Sequence, residues 1–159
     1  MAILEVHHIE KHFGSTRVLE DISFQAKQGE TVAFIGATGS GKTTLVSLIA
    51  RFYDATEGEV LVDGVNVKDY TFHALYDRIG YVTQKAVLFS GDVRENVLFG
   101  ESQGDTSDEA VRTALDLAQA TEFVDQLPGG IHAPIAEGGT NVSGGQKQRL
   151  SIARALARQ

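Results

Sequence analysis

The sequence predicts a mixed α/β fold: antiparallel strands first, then a buried strand that feeds through a glycine-rich loop into a helix, then further helices. Three features carry that prediction. "TVAFI" (31–35) is apolar without alternation, as a strand covered on both faces of a mostly parallel sheet must be. "GATGSGKTT" (36–44) follows directly, and Leu45, Leu48, Ile49 and Phe52 then recur at helical spacing with one apolar face. Ahead of both, Ile22, Phe24 and Ala26 alternate with Ser23 and Gln25, the period of a half-buried antiparallel strand.

The remaining elements follow from the same rules. "ILEVHHI" (3–9) and "VLEDISFQA" (18–26) read as strands, and "KQGE" (27–30) turns the chain. "EVLVDGVNV" (59–67) is two short β runs around Asp63-Gly64, a strong two-residue hairpin signal. "RIGYVTQ" (78–84) predicts a short strand ending at Gln84. From Asp108 to Leu127 the period is helical, with Val111, Leu115, Ala118 and, after a drift, Phe123 and Leu127 apolar; Pro128, Gly129 and Gly130 close it. Ser143 caps a last helix through "QKQRLSIARALARQ".

Composition narrows the function classes. At 159 residues and 42% hydrophobic, the chain is long enough for one domain with a real core and short for two. A net charge of -7 argues against a general nucleic-acid partner, because such binding draws on clustered Lys and Arg. The absence of cysteine excludes disulfides, zinc-thiolate sites and thiol nucleophiles, and suits a reducing, intracellular compartment. "MAILEVHHIEKHF" has no basic start, sustained apolar region or small-residue cleavage site, so no signal peptide is read. Apolar runs elsewhere are strand-sized, far below the roughly 20 residues that span a bilayer, so a membrane role is expected to come through a partner.

His8 and His12 have the spacing of helical zinc sites, but on a strand at about 3.3 Å per residue they would sit roughly 13 Å apart, too far to share an ion. No histidine metal site is expected. The acidic run from Glu101 to Glu109 reads as a solvated loop and helix start, with Asp105 to Asp108 complementing the helix dipole.

The chemistry sits in the first glycine-rich segment. Gly36, Gly41, Lys42 and Thr43 fit G-x-x-x-x-G-K-[ST], with Ala37, Thr38, Gly39 and Ser40 between and Thr44 after. Glycines there let the backbone turn sharply and aim its N–H groups at an anion, at the positive end of the helix that begins beside Lys42. Lys42 would reach the β and γ phosphates of a nucleotide, and the Thr43 hydroxyl would ligate a bridging magnesium ion. A glycine-rich turn with an incidental lysine is the plainer alternative, and the strand before and helix after count against it.

A phosphate loop alone leaves kinases, GTPases and many ATPases open. "NVSGGQKQRLSIARALA" (141–157) closely resembles the signature motif and following helix of ATP-binding cassette (ABC) proteins, usually LSGGQ followed by a basic, alanine-rich helix; Val142 stands for the leucine. Gln84 matches the family's Q-loop glutamine, which there contacts magnesium and the transmembrane coupling elements. "VLFSGDVRENVLFG" (87–100) resembles the exporter subgroup, with Asp92 where threonine is frequent. Glu137 matches the acidic residue of the exporter-specific loop before the signature. Phe13 stands where the family's adenine-stacking aromatic lies, usually tyrosine, and could equally be a core or strand-end residue.

The resemblance covers essentially the whole chain. It implies an α/β P-loop NTPase core with an N-terminal antiparallel β subdomain and a helical subdomain, its C-terminal strands missing. Residues 1–84 would form the β subdomain and P-loop core, 85–142 the Q-loop and helical subdomain, and 143–159 the signature helix. ATP and Mg2+ are the implied ligands. Ser143, Gly144, Gly145 and Gln146 would grip the γ-phosphate of ATP held by a second nucleotide-binding domain, and the dimer would drive transmembrane domains from the cytoplasmic face of the membrane. Importer-type cassettes, and soluble cassette ATPases of DNA repair or translation, share both motifs; the DNA-repair members carry a very long coiled-coil insertion between them that is absent here, and against importers only the Gln84 to Phe99 and Glu137 segments speak.

In the family an apolar strand ending in the Walker B aspartate, the catalytic glutamate, a D-loop and a switch histidine follow the signature helix, and Gln159 comes before all four. "VLVD", ending at Asp63, has the look of a Walker B strand, but Asp63 begins a two-residue hairpin and reads as a turn aspartate. No catalytic residue is therefore assigned. As part of a larger cassette, the chain is expected to leave the strand at 31–35 with an open apolar edge, and to be free of the membrane yet poorly soluble on its own. Hydrolysis needs one carboxylate to position water and a second to hold magnesium. Weak nucleotide binding and negligible hydrolysis are expected, and magnesium-dependent phosphate release by the pure 159-residue chain would overturn this.

Overall fold

The computed structural model describes residues 2–100 and 105–157, which fall into two compact units divided between Ile79 and Gly80. The acidic run from Glu101 lies partly outside the described residues. In the first unit β1 (Ala2–Phe13) and β2 (Thr16–Lys27) form a long antiparallel hairpin closed by Phe13 opposite Thr16. β3 (Glu57–Val62) takes the other edge of β1, with Val6 opposite Val60, and β4 (Val65–Asn66) pairs with β3, for the order β2-β1-β3-β4. The Asp63-Gly64 turn joins β3 to β4 with positive φ at both residues (50° and 77°), the requirement of a two-residue hairpin. Asp63 spends its carboxylate on Arg78 at 2.6 Å, as a turn residue can.

One face of this sheet is the core. Val6, Ile9, Leu19, Val60 and Val62 pack with Leu45 and Leu48 of α1 (Lys42–Ile49) and Leu75 of α2 (Phe72–Tyr76). α1 buries the apolar face that its spacing predicts, except Phe52, which lies beyond the helix and is 48% exposed. His8 and Asp21 sit at an irregularity of the β1–β2 register, both with positive φ, and hold each other at 2.7 Å. His12 Nε2 lies 3.3 Å from Glu10. Among the described residues, no group of three His, Asp or Glu could hold a metal ion.

Two expected strands do not form. Residues 31–35 and 78–84 carry no strand pairing, and Ile35 is 96% exposed. A strand buried on both faces is an interior strand, and it exists only with hydrogen-bonding neighbours beside it. The described four-stranded sheet is antiparallel throughout and takes in neither segment.

The second unit is mainly helical. β5 (Gly91–Asp92) pairs with β6 (Pro134–Ile135), and α3 (Val93–Val97), α4 (Asp108–Leu117), α5 (Thr121–Asp125) and α6 (Gly144–Leu156) surround a core that includes Leu88, Val97, Leu115, Phe123 and Leu150. Ser107 caps α4 by accepting from Ala110 N at 3.2 Å. Asp105 accepts from Ser107 N and Oγ, which lowers its pKa. The run expected as one helix over 108–127 is two helices broken at Gln119, whose φ is 55°. That break lets both Ala118 and Phe123 face the core. No described helix is long and apolar enough to cross a membrane.

Gly58 in β3 has φ 78°, and a Cβ there would collide with the carbonyl oxygens of His7 and His8. Gly58→Ala combines a left-handed backbone with a backbone clash, so it is expected to destabilise the chain by about 2 kcal/mol or more, read as a lower denaturant midpoint.

Candidate functional site

The loop at 36–44 is built around the start of α1. Gly41 is its N-cap with φ 85°, and a Cβ there would lie 2.7 Å from Leu19 Cδ2 and 3.0 Å from the Val18 carbonyl of β2. Glycine is thus demanded twice, by conformation and by close approach. Gly39 is also left-handed, at φ 84°, with open space around it. Gly36 is bare for another reason: its Cβ would come 2.7 Å from Ser40 Oγ. Ser40 N closes a turn onto the Ala37 carbonyl at 3.2 Å, and Leu45 N starts the helical ladder on Gly41 O at 2.9 Å.

Lys42 folds across this loop. Its Nζ donates to the carbonyls of Gly36 and Ala37, each at 2.7 Å, and approaches Ser40 Oγ at 3.1 Å. No side chain caps α1 and no acidic residue stands in its first turn. A helix start without a side-chain cap is the end where donors are otherwise left over, so an anion suits it. Thr43 is exposed in that turn, and its carbonyl accepts from Ser47 Oγ at 2.8 Å. The ammonium, the glycine backbone and the Thr43 hydroxyl therefore fit a magnesium-bound polyphosphate by the chemistry of their donors. Beside the loop, a cavity of about 450 Å³ is lined by Leu19, Phe24, Phe34, Gly36 and Lys42.

Phe13 ends β1 and is 43% exposed, so it is no core residue. Its ring meets Tyr53 edge-on at 5.3 Å.

In the second unit the signature residues open α6. Ser143 accepts from Gln146 N at 3.3 Å while Gln146 Oε1 accepts from Ser143 N at 2.8 Å, a complete capping box. Gly144 and Gly145 are exposed, and a Cβ on either would meet nothing within 4 Å. No described residue requires glycine at these two positions. Val142 is buried in the helical core. Gln84 is exposed in a bend, and Glu137 is exposed at the start of a 3-10 turn (Glu137–Gly139).

Asp92 has a plain structural role. It caps α3, accepting from Glu95 N at 2.7 Å, and Glu95 Oε2 accepts from Asp92 N at 2.9 Å. Aspartate and threonine are both good caps, which accounts for the exchange. Gly91 has φ 145°, which L side chains rarely adopt, and a Cβ there would also meet that Glu95 carboxylate.

Sequence reasoning missed the residues that hold the 87–99 segment. Asn96, 2% exposed, accepts from Phe89 N at 2.9 Å and donates to the carbonyls of Phe89 and Asp92. Arg154 of α6 donates to Asn96 O at 2.8 Å and Val87 O at 3.0 Å, and its guanidinium lies over the stacked rings of Phe89 and Phe99. Burial lowers its pKa. An asparagine at one turn's distance from a capping aspartate carries no signal that separates it from a surface residue.

Fold and loop together define a nucleotide-binding domain of the phosphate-loop class. Residues 19–159 match the ABC transporter family, and the chain belongs to that family. It is 44% identical, over 95% of its own length, to a Staphylococcus aureus (strain NCTC 8325 / PS 47) protein named for multidrug export as an ATP-binding/permease protein. The corresponding protein of strain bovine RF122 / ET3-1 is 43% identical over the same share. The chain spans 26% of the length of these relatives. A bacterial Atm1-family ABC exporter, solved with ATP bound, superposes with a TM-score of 0.87 at 32% identity, over 98% of this chain and 27% of that one.

Asn96→Ala would remove the buried side-chain partner of Phe89 N, Phe89 O and Asp92 O. A loss of about 2–4 kcal/mol in unfolding free energy is expected. An unchanged denaturation midpoint would show that the Asn96 side chain does not hold the 87–99 segment, leaving that to Arg154, the Asp92 cap and the rings.

Proposed function

We propose that the chain is the ATP-binding domain of an exporter-type ABC transporter. It would hold Mg-ATP at residues 36–44 and present residues 143–146 to the nucleotide of a partner domain, so that closure of the pair drives attached transmembrane domains. The observation that carries this reading is the start of α1: a left-handed glycine cap, no side-chain cap, and a lysine ammonium folded over the loop. Lys42 and the loop amides would bind the phosphates, and Thr43 would hold magnesium. Magnesium supplies charge neutralisation between the phosphates when bound.

The bare glycines of the signature support the second half of the proposal. Glycine is a poorer helix former than alanine, and the described residues leave room for a Cβ at both positions. Close approach by a phosphate from outside the chain is a reason for their absence of side chains. On the family resemblance, Gln84 is proposed as a magnesium contact and coupling residue and Glu137 as a coupling residue. The proposed organisation places the β subdomain and loop core at 1–84, the Q-loop and helical part at 85–142 and the signature helix at 143–159. The relatives' names couple ATP binding with a permease, and we extend that pairing to this chain, at the cytoplasmic face of a membrane.

Calorimetric titration of the chain with ATP and magnesium tests the phosphate loop. Lys42→Ala removes a charge-assisted donor and is expected to weaken binding about 10- to 100-fold. Backbone amide resonances from Gly36 to Thr44 that stay fixed at millimolar Mg-ATP would overturn the proposal.

A further inference from the structure

Phe13 does not stand alone at the end of β1. Tyr53, which follows α1, meets its ring edge-on with 86° between the planes and centroids 5.3 Å apart. Lys11 Nζ lies 4.9 Å from the Phe13 centroid and 5.7 Å from that of Tyr53, and donates to Asp54 O at 2.7 Å. Two further hydrogen bonds pin the same segment to β1: Thr56 N to Glu10 O at 2.9 Å, and His12 N to Thr56 Oγ1 at 3.1 Å. Tyr53 and Lys11 are amphipathic, and both rings remain 43–50% exposed. An exposed, hydrogen-bonded frame around two rings has no core to serve.

We infer that Tyr53 and Lys11 are positioning residues for nucleobase recognition, holding the Phe13 ring in the orientation on which a purine base stacks. The inference rests on the phosphate-loop reading, since the base must arrive on a nucleotide whose phosphates lie at 36–44. Placement supports it. Phe13 faces Thr16 across the hairpin, and Gly41 of the loop packs against Val18 and Leu19 only two or three residues further along β2. The same short helix α1 begins at the loop and leads through Arg51 and Phe52 to Tyr53. A free phenyl ring at a strand end would have to be ordered when a base binds, and a ring already held by an edge contact and a cation does not.

The test compares two ligands, ATP and inorganic tripolyphosphate, each with magnesium, by calorimetry on the full chain. Wild-type protein is expected to bind ATP more tightly than tripolyphosphate, because only ATP offers a base to stack. Phe13→Ala should weaken ATP about 5- to 100-fold. Tyr53→Ala should weaken it about 3- to 10-fold and leave tripolyphosphate unchanged. Tyr53→Phe, which keeps the edge contact, should restore ATP binding, and Lys11→Gln should weaken ATP alone. A Tyr53→Ala protein that binds ATP like wild type, or loses both ligands equally, overturns the inference while leaving the phosphate loop standing. Equal wild-type affinity for the two ligands overturns it as well. Wild-type protein that binds neither ligand overturns both readings.

Discussion

Gly41 is the residue on which the arrangement of the first unit turns. Its left-handed backbone ends the loop and opens α1, and its missing side chain lets that junction touch Leu19 and the Val18 carbonyl of β2. Leu19 is in turn part of the core that receives Leu45 and Leu48. Loop, helix and sheet therefore meet at one glycine. A methyl group there would have to push the helix off the sheet or distort the loop, and the ammonium of Lys42, one residue on, would lose its seat over Gly36 and Ala37. The anion binding proposed for this loop would depend on this packing more than on the lysine's charge, because a charge without fixed amides beside it is an ordinary surface lysine.

The two glycine-rich helix starts solve the same problem in opposite ways. α1 keeps its first turn free of any side-chain cap, which leaves donors for an outside anion at the expense of helix stability. α6 has a complete capping box, worth about 1 kcal/mol, yet opens on two glycines, poor helix formers that no described residue requires. The capped start can stand by itself, whereas the uncapped one leans on β2 and on Lys42. That difference suits the roles proposed for the two segments, a loop that holds a nucleotide within its own unit and a helix start offered to a phosphate from another domain.

Much of this was legible in the residue pattern, for reasons that are local. The Asp63-Gly64 hairpin, the Ser143 cap and the glycines of the loop are each dictated by backbone conformation at a few adjacent positions, which sequence states directly. The helical period over 108–127 was visible too, and the drift in its spacing marks the break at Gln119. What failed depended on distant partners. The apolar run at 31–35 has the composition of an interior strand, but composition cannot supply the neighbouring strands whose hydrogen bonds make it one. Asn96 and Tyr53 escaped for a related reason: their partners at Phe89 and Phe13 are set by the fold, and an asparagine or tyrosine reads the same in a loop as in a frame.

α6 joins the signature to the segment that resembles exporters. Its thirteen residues make a rod about 20 Å long. Ser143 and the bare glycines stand at one end, and near the other Arg154 grips the carbonyls of Asn96 and Val87 beneath the stacked rings of Phe89 and Phe99. Leu150 and Ala153, fully buried, clamp the rod into the helical core between those ends. A helix held this way cannot tilt at its start without moving the guanidinium at its end, since packed interiors shift as bodies and do not bend smoothly. The arginine is tied to backbone carbonyls and to a buried asparagine, so the 87–99 segment must follow α6 or break several hydrogen bonds at once. The physical consequence is that the signature end and the exposed aromatic pair behave as two ends of one part.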